Sequence, residues 1–153
     1  MTRPLVRSVL EQFDDREGRH CYRFALPGAP RTKKNHGKVV QRGRRKFHVP
    51  SDAFTAWQAG CLAHVLKNPV LKLGLESPVN CTAIFLRDRE NGDAVGYYQG
   101  LADVLQHCGI VVDDKLVTQW DGSRLMRNPA GECCTAVTLT VLTATPKEAA
   151  DGR

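Results

Sequence analysis

Apolar and polar positions along the chain follow two periods, one typical of strands and one of amphipathic helices. Three segments rich in strand-forming residues end at turns or charges: residues 21–26, 79–86 and 135–142. Apolar residues recur at helical spacing from Phe54 to Val65 and again from Tyr98 to Leu105. Strands and two helices in mixed order predict an α+β fold, with both helices on one face of a mixed sheet.

The second predicted helix has recognisable signals at both ends. Asp93 is placed to cap its first turn, and Gly109 is placed to close its last turn. Opposite the apolar stripe, one face carries small and polar residues: Gly96, Gln99, Gly100 and Asp103. The two glycines on this face are expected to leave room for another group to approach.

The most basic part of the chain lies between residues 31 and 46. It contains no acidic residue, and its cations are Arg31, Lys33, Lys34, Lys38, Arg42, Arg44, Arg45 and Lys46. Residues 41–44 are expected to form a hairpin tip, because Gly43 allows the positive backbone dihedral that tight turns need. The sequence therefore predicts a basic hairpin arm.

The overall charge agrees with an anionic partner. The chain has 22 Lys and Arg against 16 Asp and Glu, a formal net charge of +6. Net charge alone is compatible with a polyanionic partner and with a soluble protein that is simply basic, and the clustering of the cations favours the polyanionic partner. The length suits one domain, expected at residues 21–142, between a flexible N-terminal segment of residues 1–20 and a flexible tail of residues 143–153.

Localisation follows from two features that the sequence lacks. No stretch approaches the roughly 20 apolar residues of a membrane-spanning helix, and residues 1–16 are too charged for a signal peptide. The six cysteines contain no CxxC pair and mostly have apolar neighbours, so we expect them to be reduced and structural. These features predict a cytoplasmic protein that does not enter a membrane.

The two tryptophans have different expectations. Trp57 lies on the apolar face of the first predicted helix and is expected in the core. Trp120, beside Asp121, suits the core and a base-stacking surface equally well. The sequence leaves both possibilities open for Trp120.

Acidic residues lie before and after the second predicted helix. Asp88, Glu90 and Asp93 precede it, and Asp113 and Asp114 follow it. If the returning chain brings the two groups together, their carboxylates could hold a hard divalent cation such as Mg²⁺. Each residue also has a purely structural interpretation, as part of a solvated loop, an N-cap or a turn.

Carboxylates and a basic patch are together the pairing that metal-dependent phosphodiester hydrolysis needs. The carboxylates would hold Mg²⁺, and the cations would hold the phosphate backbone. The sequence has no GxSxG elbow, Walker A loop or HExxH motif, which disfavours several other enzyme classes.

Two segments together resemble the RusA-like family of Holliday-junction resolvases. Residues 24–35, FALPGAPRTKKN, are similar to the family's strand, proline turn and basic Lys-Asn loop. Residues 87–114 are similar to its acidic loop, helix and Asp-Asp turn, in the same order. The resemblance covers roughly residues 22–141 and implies a RusA-like fold, a homodimer, and cutting of branched DNA with Mg²⁺ or Mn²⁺.

The family's Asp-x-Asp-Asn motif can be aligned with this chain in two registers. In the first, residues 88–91 match by type, and about two residues are inserted before the helix, which loops tolerate cheaply. In the second, ungapped register the motif begins at Asp93, and its later positions fall on Val95 and Gly96, which offer no side-chain ligand. We favour the first register, because a hard cation needs several carboxylates.

The resemblance then assigns roles to particular residues. It implies catalytic and metal-binding acids at Asp88, Glu90 and Asp114, with Asp113 in support and Asp93 as a cap and further candidate ligand. The implied DNA-binding residues are Lys33, Lys34, Asn35, Lys38, Arg42, Arg44, Arg45, Lys46 and Gln99. Asp103 corresponds to the family's helix aspartate, whereas Gln99 stands where the family has a helix lysine.

Three functions are compatible with these features. The first is an Mg²⁺-dependent endonuclease that cuts Holliday junctions or related branched DNA. The second, motivated by Gln99, is a branched-DNA-binding protein of the same fold with weak or no cleavage. The third is an interaction protein whose basic surface meets an acidic protein.

Overall fold

The described part of the chain folds into a six-stranded sheet, a separate strand pair and two long helices. The computed structural model describes residues 9–33, 38–49, 51–88, 90, 92–127 and 131–142. The strands are Glu11–Asp14 (β1), His20–Pro27 (β2), Lys38–Arg42 (β3), Arg45–Val49 (β4), Val79–Arg87 (β5), Val117–Gln119 (β6), Arg124–Arg127 (β7) and Cys134–Val141 (β8). The helices are Asp52–Lys67 (α1) and Ala94–His107 (α2), with 3-10 turns at Pro69–Leu71 and Asp114–Leu116.

The main sheet is mixed, as the sequence predicted. Its strand order is β1-β2-β8-β5-β6, and β7 also pairs with β5. The pairs β1-β2, β2-β8 and β5-β8 are antiparallel, whereas β5 runs parallel to β6 and β7. The α+β class with two helices is therefore confirmed. Strand β5 lies between β8 and the short strands β6 and β7, and it leads directly into the acidic loop.

One face of the sheet forms the core with both helices. Phe24, Val137 and Ala83 are aligned across β2, β8 and β5, and all three are buried. The helices add side chains to the same core cluster, among them Phe54, Trp57, Cys61, Leu101, Val104 and Leu105. Packing in this shared core therefore holds both helices against the sheet.

Residues 11–14 form a strand where the sequence predicted a flexible segment. In β1, Glu11 is opposite Arg23 of β2, and their side chains form an ion pair of 3.5 Å. The Arg23 guanidinium also lies 4.5 Å from the centre of the Phe13 ring. Cross-strand contacts of this kind stabilise an edge strand whose own sequence is too short and polar to predict it.

Both long helices begin at a capping side chain, and at α2 this is the residue that the sequence predicted. Ser51 caps α1 and accepts a hydrogen bond of 3.2 Å from the Phe54 backbone N–H. Asp93 caps α2 and accepts a bond of 2.8 Å from the Gly96 N–H. Neither helix, nor any other in the described ranges, has the length and apolar content needed to span a bilayer.

Candidate functional site

Residues 31–33 pack against the face of α2 that carries Gly96 and Gly100, called the glycine face below. A Cβ on Gly96 would lie 3.2 Å from Thr32 Cγ2, and a Cβ on Gly100 would lie 2.9 Å from the Arg31 carbonyl oxygen. The sequence predicted that these glycines leave room for another group. That group is the segment of residues 31–33 of the same chain. The space beside both glycines is therefore occupied by internal packing.

An arginine of this segment holds the carboxylate at the end of β5. Arg31 Nη1 donates to Asp88 Oδ1 at 2.8 Å, and Nη2 donates to Oδ2 at 3.3 Å. This bidentate hydrogen bond raises the pKa of Arg31 above its ordinary value, and partial burial opposes the increase. A fixed guanidinium therefore neutralises the first acid of the preferred metal-binding register.

The other end of the same segment is tied to the helices. Lys33 Nζ lies 3.5 Å from Asp103 Oδ1 of α2, and Gln58 of α1 donates to Asp103 Oδ2 at 3.0 Å. Asp103 thereby connects three parts of the chain. Lys33 was expected to face DNA, but in this arrangement its ammonium group pairs with a carboxylate of the same chain.

The remaining acids of the loop also have partners. Glu90 Oε1 lies 3.4 Å from Arg127 Nη1, with most of both side chains in solvent. Asp93 is the N-cap of α2. An exposed pair of this kind contributes little to stability, so it can exchange its partner at small cost.

The Asp113-Asp114 turn is fixed at the far end of α2. Asp113 Oδ1 accepts a bond of 2.9 Å from the Lys115 N–H, and this bond lowers the pKa of Asp113 below its ordinary value. The Asp114 N–H donates to Gln106 Oε1 at 2.8 Å. Gln106 thus anchors the turn to the last part of α2.

The predicted convergence of these acids on a metal ion does not occur among the described residues. No three His, Cys, Asp or Glu side chains in the described ranges lie close enough together to hold a cation. Asp88 instead binds Arg31, and Glu90 lies beside Arg127. In this arrangement the side chains of Asp88 and Glu90 have basic partners within the chain. Binding of a metal by Asp88, Glu90, Asp93 and Asp114 stays a prediction.

The strand pair β3-β4 concentrates cations at its turn. Arg42 is directly opposite Arg45, and the intervening Gly43 has a φ of 63°, as a tight turn requires. Arg44 and Lys46 lie beside them, and all four cations are exposed. None forms an ion pair with a carboxylate of the described residues. Like charges that lie opposite each other across a strand pair repel each other. An anionic partner would reduce this repulsion.

The other predicted DNA-binding residues are distributed differently. Lys34 and Asn35 lie outside the described residues, and Lys38 is the first residue of β3. Gln99 is exposed on α2. No local sequence pattern indicates that Arg31 pairs with Asp88, because the two residues lie far apart in the chain.

Comparison with known proteins adds no family assignment. No protein-family model matches this chain, and no curated protein has a matching sequence. The resemblance to the RusA-like resolvases therefore depends on the motifs of the chain itself.

Proposed function

We propose that this protein binds branched DNA through the β3-β4 hairpin, consistent with its resemblance to the RusA-like family. The observation that carries the proposal is the exposed Arg42–Arg45 cross-strand pair, without an acidic partner among the described residues. A two-stranded ribbon has dimensions that the DNA major groove admits, and phosphates neutralise opposed arginines. The resemblance adds a homodimer, whose two-fold symmetry would match a four-way junction.

Metal-dependent cleavage of the same DNA is the second candidate function. The observation that favours it is the Asp113-Asp114 turn, anchored by Gln106 at the end of α2 where the family pattern has its acidic turn. Two features oppose it: Arg31 neutralises Asp88, and Gln99 cannot provide a positive charge. The proposal therefore gives binding precedence over cleavage.

Binding is tested by titrating a synthetic four-way junction and a matched duplex at several salt concentrations. The variant Arg44→Ala/Arg45→Ala is expected to bind more weakly and to reduce the slope of log K against log salt by about 0.9 for each lost phosphate contact. Arg16→Ala/Lys67→Ala is the matched control, because it removes the same charge from exposed positions outside the hairpin. Equal loss in both variants, or no preference for the junction, would count against the proposal.

Cleavage is tested with an end-labelled junction and Mg²⁺ or Mn²⁺. Nicking that Glu90→Gln and Asp114→Asn abolish, while Glu90→Gln spares binding, would establish the nuclease with the predicted acids. Binding without nicking at any enzyme concentration would identify a protein that holds branched DNA but does not cut it.

A further inference from the structure

Three aromatic rings form a continuous series from the core, through α2, to the loop that follows β6. The side chains of Tyr98 and Trp120 are stacked, with ring centroids 4.7 Å apart and planes within 8°. On the core side, the Tyr98 ring lies 6.0 Å from that of Phe85, which is fully buried. Tyr98 and Trp120 are themselves only partly buried. The stack therefore begins in the core and ends at the surface.

The loop that carries Trp120 is held firmly to β5. Asn80 Oδ1 accepts from the Asp121 N–H at 2.9 Å, and the Asp121 carbonyl accepts from Thr82 Oγ1 at 2.8 Å and from Asn80 Nδ2 at 3.3 Å. Ser123 Oγ adds bonds to the backbone of β5 at Cys81 and Ala83. Binding to this loop would cost little ordering entropy, because its backbone is already fixed.

The surface next to the stack carries an apolar, a neutral polar and an acidic residue, and none of these three is basic. Val95, one turn before Tyr98 on α2, is 58% exposed, and Gln99 is exposed on the same face of the helix. Asp121, beside Trp120, is exposed and would repel a phosphate. A flat, uncharged ring suits this surface better than the DNA backbone does. The Gln99 amide can both donate to and accept from the edge of such a ring.

We propose that the Tyr98–Trp120 stack is a platform for an unpaired nucleobase of the bound DNA. This inference rests on the proposed function, since it assigns the cations of β3-β4 to the phosphates and the aromatic stack to a base. Every nucleobase has a π face, so stacking requires no particular sequence. The preferred DNA then has a base that is unpaired at or near the branch point.

Affinity measurements test the platform against its conservative substitution. Trp120→Ala is expected to weaken binding to a junction with unpaired bases at the branch on the order of tenfold. Binding to a fully paired duplex should be unchanged, and Trp120→Phe should retain most of the affinity because phenylalanine keeps a ring. Equal affinity of wild type and Trp120→Ala for the junction would overturn the inference.

Fluorescence provides a second measurement that does not depend on the alanine variant folding. Trp57 and Trp120 are the two tryptophans of the chain, and Trp57 is only 5% exposed. A single-stranded oligonucleotide is expected to quench the Trp120 emission of Trp57→Phe, and to leave Trp57 emission in Trp120→Phe unchanged. If Trp57→Phe is unstable, the difference in quenching between wild type and Trp120→Phe reports the same quantity.

The two proposals fail in different ways. If Arg44→Ala/Arg45→Ala loses binding while Trp120→Ala binds normally and Trp120 is not quenched, the hairpin proposal stands and the platform is overturned. If the wild-type protein binds neither junction nor oligonucleotide, the proposed function is overturned, and the platform with it.

Discussion

The carboxylates around α2 differ in role because they differ in nearest partner. Asp88 faces a guanidinium, Asp93 faces the free N–H groups of a helix start, and Asp113 faces a backbone N–H of its own turn. A carboxylate held in one of these ways is satisfied without a metal ion. At the scale of single residues, sequence position therefore defines what an acid could do, and its contacts define what it does.

Asp93 offers a direct test of a structural against a metal-binding role. Asp93→Ala is expected to lower the free energy of unfolding by about 0.5–2 kcal/mol, because the first turn of α2 loses its cap. Asp93→Asn should change it little, since the amide oxygen still accepts from the Gly96 N–H. Urea unfolding at neutral pH measures both. A loss in the asparagine variant as large as in the alanine variant would contradict the cap role.

At the scale of elements, the composition of one face of α2 is explained by residues 31–33, which pack on it. Gly100 lets the Arg31 carbonyl and the Phe54 ring approach the helix closely, and the Lys33–Asp103 pair holds the segment in place. The helix thus has one face on the core and another on residues 31–33. Its remaining exposed face carries Val95 and Gln99.

Two helical glycines make a matched pair for testing this packing. Gly100→Ala is expected to destabilise the protein by about 1–3 kcal/mol, because the new Cβ would meet the Arg31 oxygen at 2.9 Å. Gly60→Ala in α1 has nothing within 4 Å of its new Cβ, so it should stabilise the helix by about 0.5–1 kcal/mol. Thermal or urea unfolding of the two variants should therefore shift in opposite directions. Stabilisation by both would show that the segment does not pack on α2.

At the scale of the whole molecule, the core holds several thiols in their neutral form. Burial raises the pKa of Cys61 from 9.0 to about 12 and that of Cys108 to about 11. Burial also raises the pKa of the fully buried Cys81. The folded protein therefore keeps protons on these thiols at a pH where the unfolded chain releases them.

This difference predicts a loss of stability in alkali. Above about pH 9 the unfolded state binds fewer protons than the folded state, so the free energy of unfolding falls as pH rises, by about 1.4 kcal/mol per pH unit for each such thiol. Urea unfolding from pH 7 to 10.5 measures the slope. Cys61→Ala should be less stable at pH 7 but lose less stability between pH 9 and 10.5. An unchanged slope in that variant would exclude Cys61 as a contributor.

The sequence by itself determined the elements with strong local patterns. The helices α1 and α2, the N-cap of α2 and the long strands β2, β5 and β8 follow from the hydrophobic period and the end signals within each segment. The short strands β1 and β7 have too little local pattern and exist because they pair with β2 and β5. An element could be predicted from the sequence wherever its own hydrophobic period and end residues specify it without a pairing partner.

Only the tertiary structure decided which distant residues meet. Arg31 reaches Asp88, residues 31–33 fill the glycine face of α2, and Trp120 stacks on Tyr98 because the sheet register and helix packing bring separate segments together. The sequence located the acids and the cations, but a carboxylate's partner depends on a fold that no local period encodes. The acidic loop could thus be found from sequence, whereas its pairing with arginine required the structure.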